Sequence, residues 1–496
     1  MNDVTRYRLY ELIPGTLVWA TLFLAIFFSF WKPLWVVIFV IIFDLYWVFR
    51  VLYFIFYLIL SFRKYQTTIA INWLRKVQDD IPLWDSYYHI VFFPFYNEPY
   101  EVIDETFQGL LRQEFPLKNM IVVLGGEERN HENALAVGKK IQEKYGSLFF
   151  RFLFTLHPDN LPDELKGKGA NAHFMGERAK ELIDSLSIQK EKLIVSYFDS
   201  DTITHTKYFS YLTHRYATHP NPTRTSFQPI ALYNNNIWQS NIVTRVVAFG
   251  TVFWLLAELA RPERLFTFSS HSMSWKALED VQFWQKDIVT DDSRIFVQCF
   301  LRYDGDYTVT PLYIPVSMDT VEAPSFWQSL KNLYKQQRRW MWGVEHFPYM
   351  LWHFRKNKAI PFQKKMHYIW NLGEGMYSMA TAPLLIFILG RLPLWILENS
   401  PSALAQNAPF ILERLMWIAM TGIIISGILA LRLLPPRASE IPRYKYLTMI
   451  LQWFLLPVTI IFWGAIPAIE AQTRLLLGKY LGFFNTPKQR IASNEK

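Results

Sequence analysis

One cysteine, Cys299, is all the sequence has, so an internal disulfide and a thiolate metal cluster are both excluded. A chain without disulfides suits a reducing compartment, and its soluble part is expected in the cytosol. Charge is scarce as well: Asp, Glu, Lys and Arg make up 19% of residues against 51% apolar ones, a low fraction for a wholly soluble protein. The formal charge of +9 is not gathered into a basic arm, because Lys and Arg are scattered or flank apolar runs. Nucleic acid is therefore not an expected partner, and an anionic membrane leaflet is.

Aromatic side chains are present in quantity, 17% of the chain with 40 Phe, 26 Tyr and 19 Trp, and Trp and Tyr collect where hydrocarbon meets headgroups. Residues 12–31 carry no charge between Glu11 and Lys32, enough to cross a hydrocarbon layer of about 30 Å as a helix. A cleaved signal peptide is disfavoured, since no small-residue cleavage site follows and a second apolar run begins at once. That second run, 33–62, is broken only by Asp44 and Arg50. It exceeds one crossing, so it tilts or continues past the membrane.

Three further runs follow at 368–390, 415–431 and 446–469, the last with Pro457 in its middle. The positive-inside rule places Arg6, Arg8, Arg63 and Lys64 inside, with the loop holding Arg432, Arg437, Arg443 and Lys445. The loop 392–409 has no Lys or Arg and belongs outside. Five crossings would then put Arg474, Lys479, Lys488 and Arg490 outside, against the rule. The fifth run is therefore expected either to turn back at Pro457 or to cross despite its flanks. The resulting map is a pair of membrane helices in 1–64, a cytosolic domain over 85–325, interfacial amphipathic helices over 326–365, a second membrane region over 366–470 and a cytosolic or interfacial tail over 471–496.

Between Arg63 and Lys365 no apolar stretch is long enough to span, which leaves roughly 300 residues for a domain with its own core. Short β-rich runs lie at 89–95, 120–124, 149–154 and 193–198, with helix-like stretches at 100–113, 130–145 and 168–186. Strands alternating with helices predict an α/β fold with a parallel sheet and ligands at the strand carboxyl ends. Those ends carry Asn97 and Glu98, then Glu127 and Glu128, then Asp199 and Asp201.

Two carboxylates in Phe198-Asp199-Ser200-Asp201-Thr202 are costly to bury unpaired, and a divalent cation offsets them; a turn or cap is the plainer reading. Thr290-Asp291-Asp292-Ser293 reads either as a helix N-terminus or as the seat of a general base. In Gln336-Gln337-Arg338-Arg339-Trp340, an amphipathic helix on the bilayer accounts for the composition. Arg339 equally suits phosphate, and Trp340 the face of a sugar ring.

The order of these elements, with apolar spans after them, resembles the family 2 glycosyltransferases, in particular the membrane branch of cellulose and hyaluronan synthases. Phe93-Pro94-Phe95-Tyr96-Asn97-Glu98 and Lys166-Gly167-Lys168-Gly169-Ala170-Asn171-Ala172 are similar to that family's first-strand and donor-contacting segments. The resemblance covers about residues 85–355. It implies a nucleotide-sugar (GT-A type) catalytic domain inserted between transmembrane helices of a plasma-membrane protein. It also implies Mg²⁺ or Mn²⁺ on Asp201 and Asp199, and Asp292 as catalytic base beside Asp291. Donor contacts would come from Asn97, Glu98, Glu127, Lys168, Asp199 and Arg339, and acceptor contacts from Gln336, Arg339 and Trp340; His271 reads either as a further acceptor contact or as a loop histidine satisfied by its neighbours. The implied reaction is inverting hexosyl transfer from a nucleotide sugar to a glycan or lipid-linked acceptor at the bilayer, processive or not. The rivals are single-sugar transfer to a polyprenyl phosphate and a non-catalytic scaffold or transporter that keeps the fold.

Two departures stand out. Where the family often has an Asp pair after its second strand, this chain has Gly125-Gly126-Glu127-Glu128, and the acidic triplet has Asp291 where many relatives have Glu. His205 and His214 read as helix-surface residues before metal neighbours, and Lys166 as solvated.

Overall fold

The computed structural model describes residues 2–437 and 439–487; Lys488 and Arg490 of the expected tail lie outside the described residues. Eight strands form one sheet: β1 (Tyr88–Pro94), β2 (Met120–Glu127), β3 (Arg151–His157), β4 (Leu193–Tyr197), β5 (Ile203–Thr204), β6 (Thr225–Tyr233), β7 (Ser272–Ser274) and β8 (Thr308–Met318). Their order is β3-β2-β1-β4-β7-β6-β8-β5. The first four run parallel, with Val91 beside both Val122 and Ser196, because each successive connection is long enough for a crossover helix. The sheet is nonetheless mixed and not wholly parallel as the alternation predicts. β7 pairs antiparallel with β4 and β6, and its Ser-Met-Ser sequence carries no apolar alternation to reveal it.

The period of two along each strand splits the core. Ile90, Phe92, Ile121, Val123 and Val195 face the helix Lys168–Asp184 through Ala172, Met175 and Ala179. Val91, Phe93, Val122, Leu124 and Ile194 face the helices Tyr100–Leu111 and His131–Tyr145 through Ile103, Phe107 and Ile141. At about 1.5–3 kcal/mol per buried large apolar side chain, this three-layer packing holds the strand ends in place.

Around this domain stand the apolar helices Asp3–Trp31, Pro33–Ala70, Ala403–Leu433 and the run Lys445–Leu476, each long and apolar enough to cross a membrane. Phe362–Phe387 also qualifies together with Leu389–Ile396, from which it bends by 41°. A further helix, Ile242–Leu259, meets the same requirement inside the stretch where none was expected. It packs against both β6 and the helix Pro33–Ala70, so its apolar surface couples the sheet to the long apolar helices. Arg245 and Glu258 near its ends had shortened the visible run.

The run Lys445–Leu476 does not turn back at Pro457; it continues through a short 3-10 turn and a π-bulge. Both of its ends are tied to distant parts of the chain. At one end Lys445 Nζ donates to the Trp238 carbonyl at 2.6 Å, and Arg245 Nε to Gln452 Oε1 at 2.8 Å. At the other, Arg8 Nη1 donates to the Leu475 carbonyl at 2.6 Å and bonds Glu11 at 2.7 Å, while Tyr480 donates to Glu11 at 2.9 Å.

Candidate active site

The carboxyl ends of β1, β2, β4, β6 and β8 open onto one cleft, walled on one side by the helix Phe326–Met341. Lys168 stands at its centre. Its Nζ lies 2.7 Å from Asp199 Oδ1 and 3.1 Å from Asp292 Oδ1, and 4.0 Å from the centre of the Tyr197 ring. Burial works against the ammonium charge, but Asp199, Asp292 and Asp291 outweigh it and hold Lys168 above the usual lysine range.

Asp291 and Asp292 begin the helix Asp291–Arg302. Asp291 is 2% exposed and accepts the Tyr197 hydroxyl at 2.6 Å; burial, with Asp292 adjacent, pushes its carboxyl well above the usual range. Asp292 faces the cleft. The first turn of the helix Lys168–Asp184 comes so close that a Cβ on Gly169 would lie 2.9 Å from Asp291 Cβ, so only glycine lets Lys168 reach both acids. Thr290 occupies the N-cap position, yet its hydroxyl makes no capping bond.

Asp199 and Asp201 follow β4 in a backbone turn, with Thr202 N donating to the Asp199 carbonyl at 3.0 Å. Asp199 lines the cleft and accepts from Ser269 Oγ at 2.6 Å. Asp201 is fully buried behind it, accepting the Asp319 amide at 2.8 Å. Among the described residues no three His, Cys, Asp or Glu side chains form a ready metal cage. The donor set still fits a hard divalent ion, because Mg²⁺ and its kin are commonly held by one or two carboxylates and completed by substrate phosphate oxygens. Asp199 offers such a carboxylate, with Asp201 next to it.

On the far side Gln336, Arg339 and Trp340 share one helix face through their i, i+3, i+4 spacing and line the cleft. Trp340 packs on Tyr233 with ring centres 5.7 Å apart. The neighbouring Arg338 faces away and pairs with Glu470 at 2.7 Å. At the strand ends Glu98 accepts its own turn's Tyr96 amide at 2.8 Å. Glu127 accepts Arg129 Nε at 2.6 Å, and the Arg129 guanidinium sits 4.3 Å from the centre of the Tyr96 ring. Burial, opposed by Arg129, pushes the Glu127 carboxyl up to about 7. Asn97 is exposed at the rim.

His271, expected at the acceptor, is corrected by the structure: it is wholly buried and absent from the cleft lining. Ser270, with φ at +67°, and the bond from Tyr197 N to the His271 carbonyl at 2.9 Å turn it inward beside β7. Its Nδ1 binds the Phe268 carbonyl at 3.0 Å, and burial lowers it to about 4, leaving the ring neutral. His205 and His214 do not line the cleft either; His214 pairs with Asp80 at 3.0 Å.

Several lining residues escaped the sequence reading. Tyr233 and Asp319 sit where β6 and β8 end, and the strand-end rule that exposed Asp199 applies to them equally. Phe483, Asn485 and Thr486 come from the segment after the last helix. Phe483 lies 4.8 Å from the Arg339 guanidinium and against Gly167, and Asn485 donates to Asn97 Oδ1 at 3.2 Å. No local pattern marks them.

Residues 194–466, more than half of the chain, match the family described as Glycosyl transferase family group 2. No curated protein matches the chain. Among solved structures it is similar to the mannosyltransferase PcManGT from Pyrobaculum calidifontis in complex with GDP-Man and Mn²⁺, at 14% identity and a TM-score of 0.43, covering 76% of this chain and 99% of that one. It is also similar to TarS 1-349 of S. aureus, at 13% identity and a TM-score of 0.35, covering 79% and 92% of the two chains. The complex of that protein with UDP-GlcNAc matches at 13% identity and a TM-score of 0.32, covering 66% and 90%. The fold is of the GT-A type with a mixed sheet. This chain belongs to glycosyl transferase family group 2: it is a glycosyltransferase that takes its sugar from a nucleotide donor.

Proposed function

We propose that the protein transfers a hexose, with inversion, to a glycan or glycolipid acceptor held at the membrane, working from the cytosolic face. The observation that carries this reading is the convergence of Asp199, Lys168 and Asp292 in one cleft walled by Gln336, Arg339 and Trp340 of the helix Phe326–Met341. Carboxylates for charge and base work lie opposite an arginine and an indole suited to phosphate and sugar. The resemblance to the cellulose and hyaluronan synthase branch points the same way.

In this reading the acceptor hydroxyl oxygen attacks the anomeric carbon, the bond from that carbon to the diphosphate oxygen breaks, and Asp292 takes the hydroxyl proton. Asp291, closed off under Tyr197, stays out of the transfer. Lys168 and Arg339 balance the negative charge of the leaving diphosphate. Asp199 would hold Mg²⁺ or Mn²⁺, with Asp201 buried directly behind it, and the ion would supply further neutralisation of that leaving group. Glu98, Glu127 and Arg129 at the ends of β1 and β2 take the nucleoside.

The membrane arrangement supports a catalytic domain and tail on one side. Four crossings, by Asp3–Trp31, Pro33–Ala70, the bent pair Phe362–Ile396 and Ala403–Leu433, return the chain to its starting side. The run Lys445–Leu476 then lies along that side, since both its ends touch catalytic-side residues. This arrangement also satisfies the positive-inside rule for Arg474 and Lys479.

The test is incubation of the purified protein with labelled uridine- and guanosine-linked hexoses and Mn²⁺, followed by sizing of the product. A membrane-associated β-glycoside supports the proposal, and its length reports whether synthesis is processive. A single sugar on a polyprenyl phosphate selects the narrower rival. No turnover of any donor would overturn the reading.

A further inference from the structure

Thr290 stands where a helix cap belongs, immediately before Asp291 and Asp292, but its hydroxyl is committed elsewhere. It donates at 2.6 Å to Glu345 Oε1, in the turn that follows Trp340 and the helix Phe326–Met341. The other carboxylate oxygen of Glu345 accepts Trp342 Nε1 at 2.8 Å. A cap hydroxyl ordinarily accepts a backbone amide of its own helix; this one is used to tie two segments together.

His346 completes the tie. Arg294 Nε is always a donor and lies 3.1 Å from His346 Nδ1, so that nitrogen accepts and the ring proton sits on Nε2. Nε2–H then donates to Ser293 Oγ at 2.7 Å and approaches Thr290 Oγ1 at 3.2 Å. Ser293 in turn donates to the Thr290 carbonyl at 3.3 Å. The ring is 1% exposed and Arg294 3%, with the guanidinium 3.7 Å from the centre of the Tyr349 ring. Burial, with Arg294 beside it, holds His346 well below the usual histidine range, which keeps this single tautomer. A closed chain of hydrogen bonds around the buried His346 and Arg294, with every donor assigned, has one arrangement. It brackets the Asp291–Asp292 pair from both sides, through Thr290 before it and Ser293 after it, and neither Glu345 nor His346 lines the cleft.

We propose that Glu345 and His346 are positioning residues for the transfer step: by holding Thr290 and Ser293 they set where the Asp292 carboxylate stands relative to Trp340. The base and the acceptor wall then keep a fixed separation. The inference rests on the assignment of Asp292 as base, and misplacement of a reacting group by about 1 Å can cost on the order of 100-fold in rate.

The experiment uses the full chain in lipid nanodiscs, with UDP-glucose and GDP-mannose plus Mn²⁺ as donors. Thr290→Val keeps the side-chain shape and loses the hydroxyl, while Thr290→Ser keeps it. Glu345→Ala and His346→Phe remove the partners, and Asp292→Asn is run in parallel. Expected are kcat values lowered about 10- to 100-fold in Thr290→Val, Glu345→Ala and His346→Phe, a donor KM within about twofold of wild type, and near wild-type turnover in Thr290→Ser. Unchanged kcat in Thr290→Val, a donor KM that rises in step with the loss, or a serine variant no better than the valine one would each overturn the proposal. If Glu345→Ala and His346→Phe fail to fold, the Thr290 pair decides alone. Retained turnover in Asp292→Asn would instead remove the base assignment itself, a failure distinct from that of the positioning role.

Discussion

Asp291 and Asp292 are neighbours in the chain and live in different media. Asp291 is 2% exposed beneath Tyr197, where its charge is costly, whereas Asp292 reaches Lys168 and the open cleft. A base must meet its proton within hydrogen-bond reach, and only Asp292 has that access. Replacing Asp292 with Asn should lower transfer by about 10²- to 10⁴-fold while donor affinity, measured by calorimetry, stays close to wild type; a comparable loss of affinity would transfer the role to donor binding. The pair was legible as paired acids, but which member faces the substrate was not. That depends on Tyr197 and Gly169, which arrive from distant parts of the chain. His271 shows the opposite case: it was a candidate for the acceptor, and its place beside β7 leaves it wholly buried.

At the scale of elements, the helix Phe326–Met341 has two working faces. One carries Gln336, Arg339 and Trp340 into the cleft, and another docks Tyr334 and Arg338 on Glu470 at 2.7 Å each. Trp340→Ala should impair acceptor use by roughly 3- to 10-fold, the worth of an aromatic contact, and leave donor hydrolysis nearly intact; equal loss in the two assays would contradict this division. Behind the cleft, Asp104 joins the helix Tyr100–Leu111 to His131–Tyr145 by accepting Tyr100, Lys144 and Tyr145 within 2.8 Å. Burial alone would raise this carboxyl, but the hydrogen bonds from Lys144, Tyr100, Tyr145 and Gln108 outweigh it and lower it to about 2. A lowered acid stabilises the fold above its unfolded pKa of about 4 and loses that contribution as pH falls toward 2, here about 2 kcal/mol. Thermal melts should therefore show wild type well above Asp104→Asn at pH 6, with the gap closing below pH 4. A gap independent of pH would show that packing, and not ionisation, accounts for it.

At the scale of the molecule, the long apolar helices and the catalytic domain interlock. Arg8 and Glu11 of the first helix hold Leu475 and Tyr480 at the far end of the chain, and the segment beyond them reaches the cleft through Phe483 and Asn485. The proposed sidedness can be read chemically because the native thiol is silent: Cys299 is fully buried, and burial pushes it up to about 12. A thiol introduced by Asn399→Cys should react with an impermeant maleimide on intact cells, and one introduced by Ser187→Cys only after permeabilisation. The reverse pattern would invert the topology.

Local patterns alone determined the four parallel strands, their crossover helices and the acidic strand ends, because period-two burial and strand-end placement depend only on nearby residues. They also marked where long apolar helices occur, since a bilayer's thickness sets a minimum run of apolar residues, but not where those helices end: Ala403–Leu433 extends well beyond the apolar run 415–431. Only the tertiary structure decided that β7 enters antiparallel, that Ile242–Leu259 packs between the sheet and the long helix Pro33–Ala70, and that the ends of Lys445–Leu476 bond Trp238 and Arg8. Each of these rests on contacts between segments far apart in the chain, whose energies exist only once the partner surface has formed.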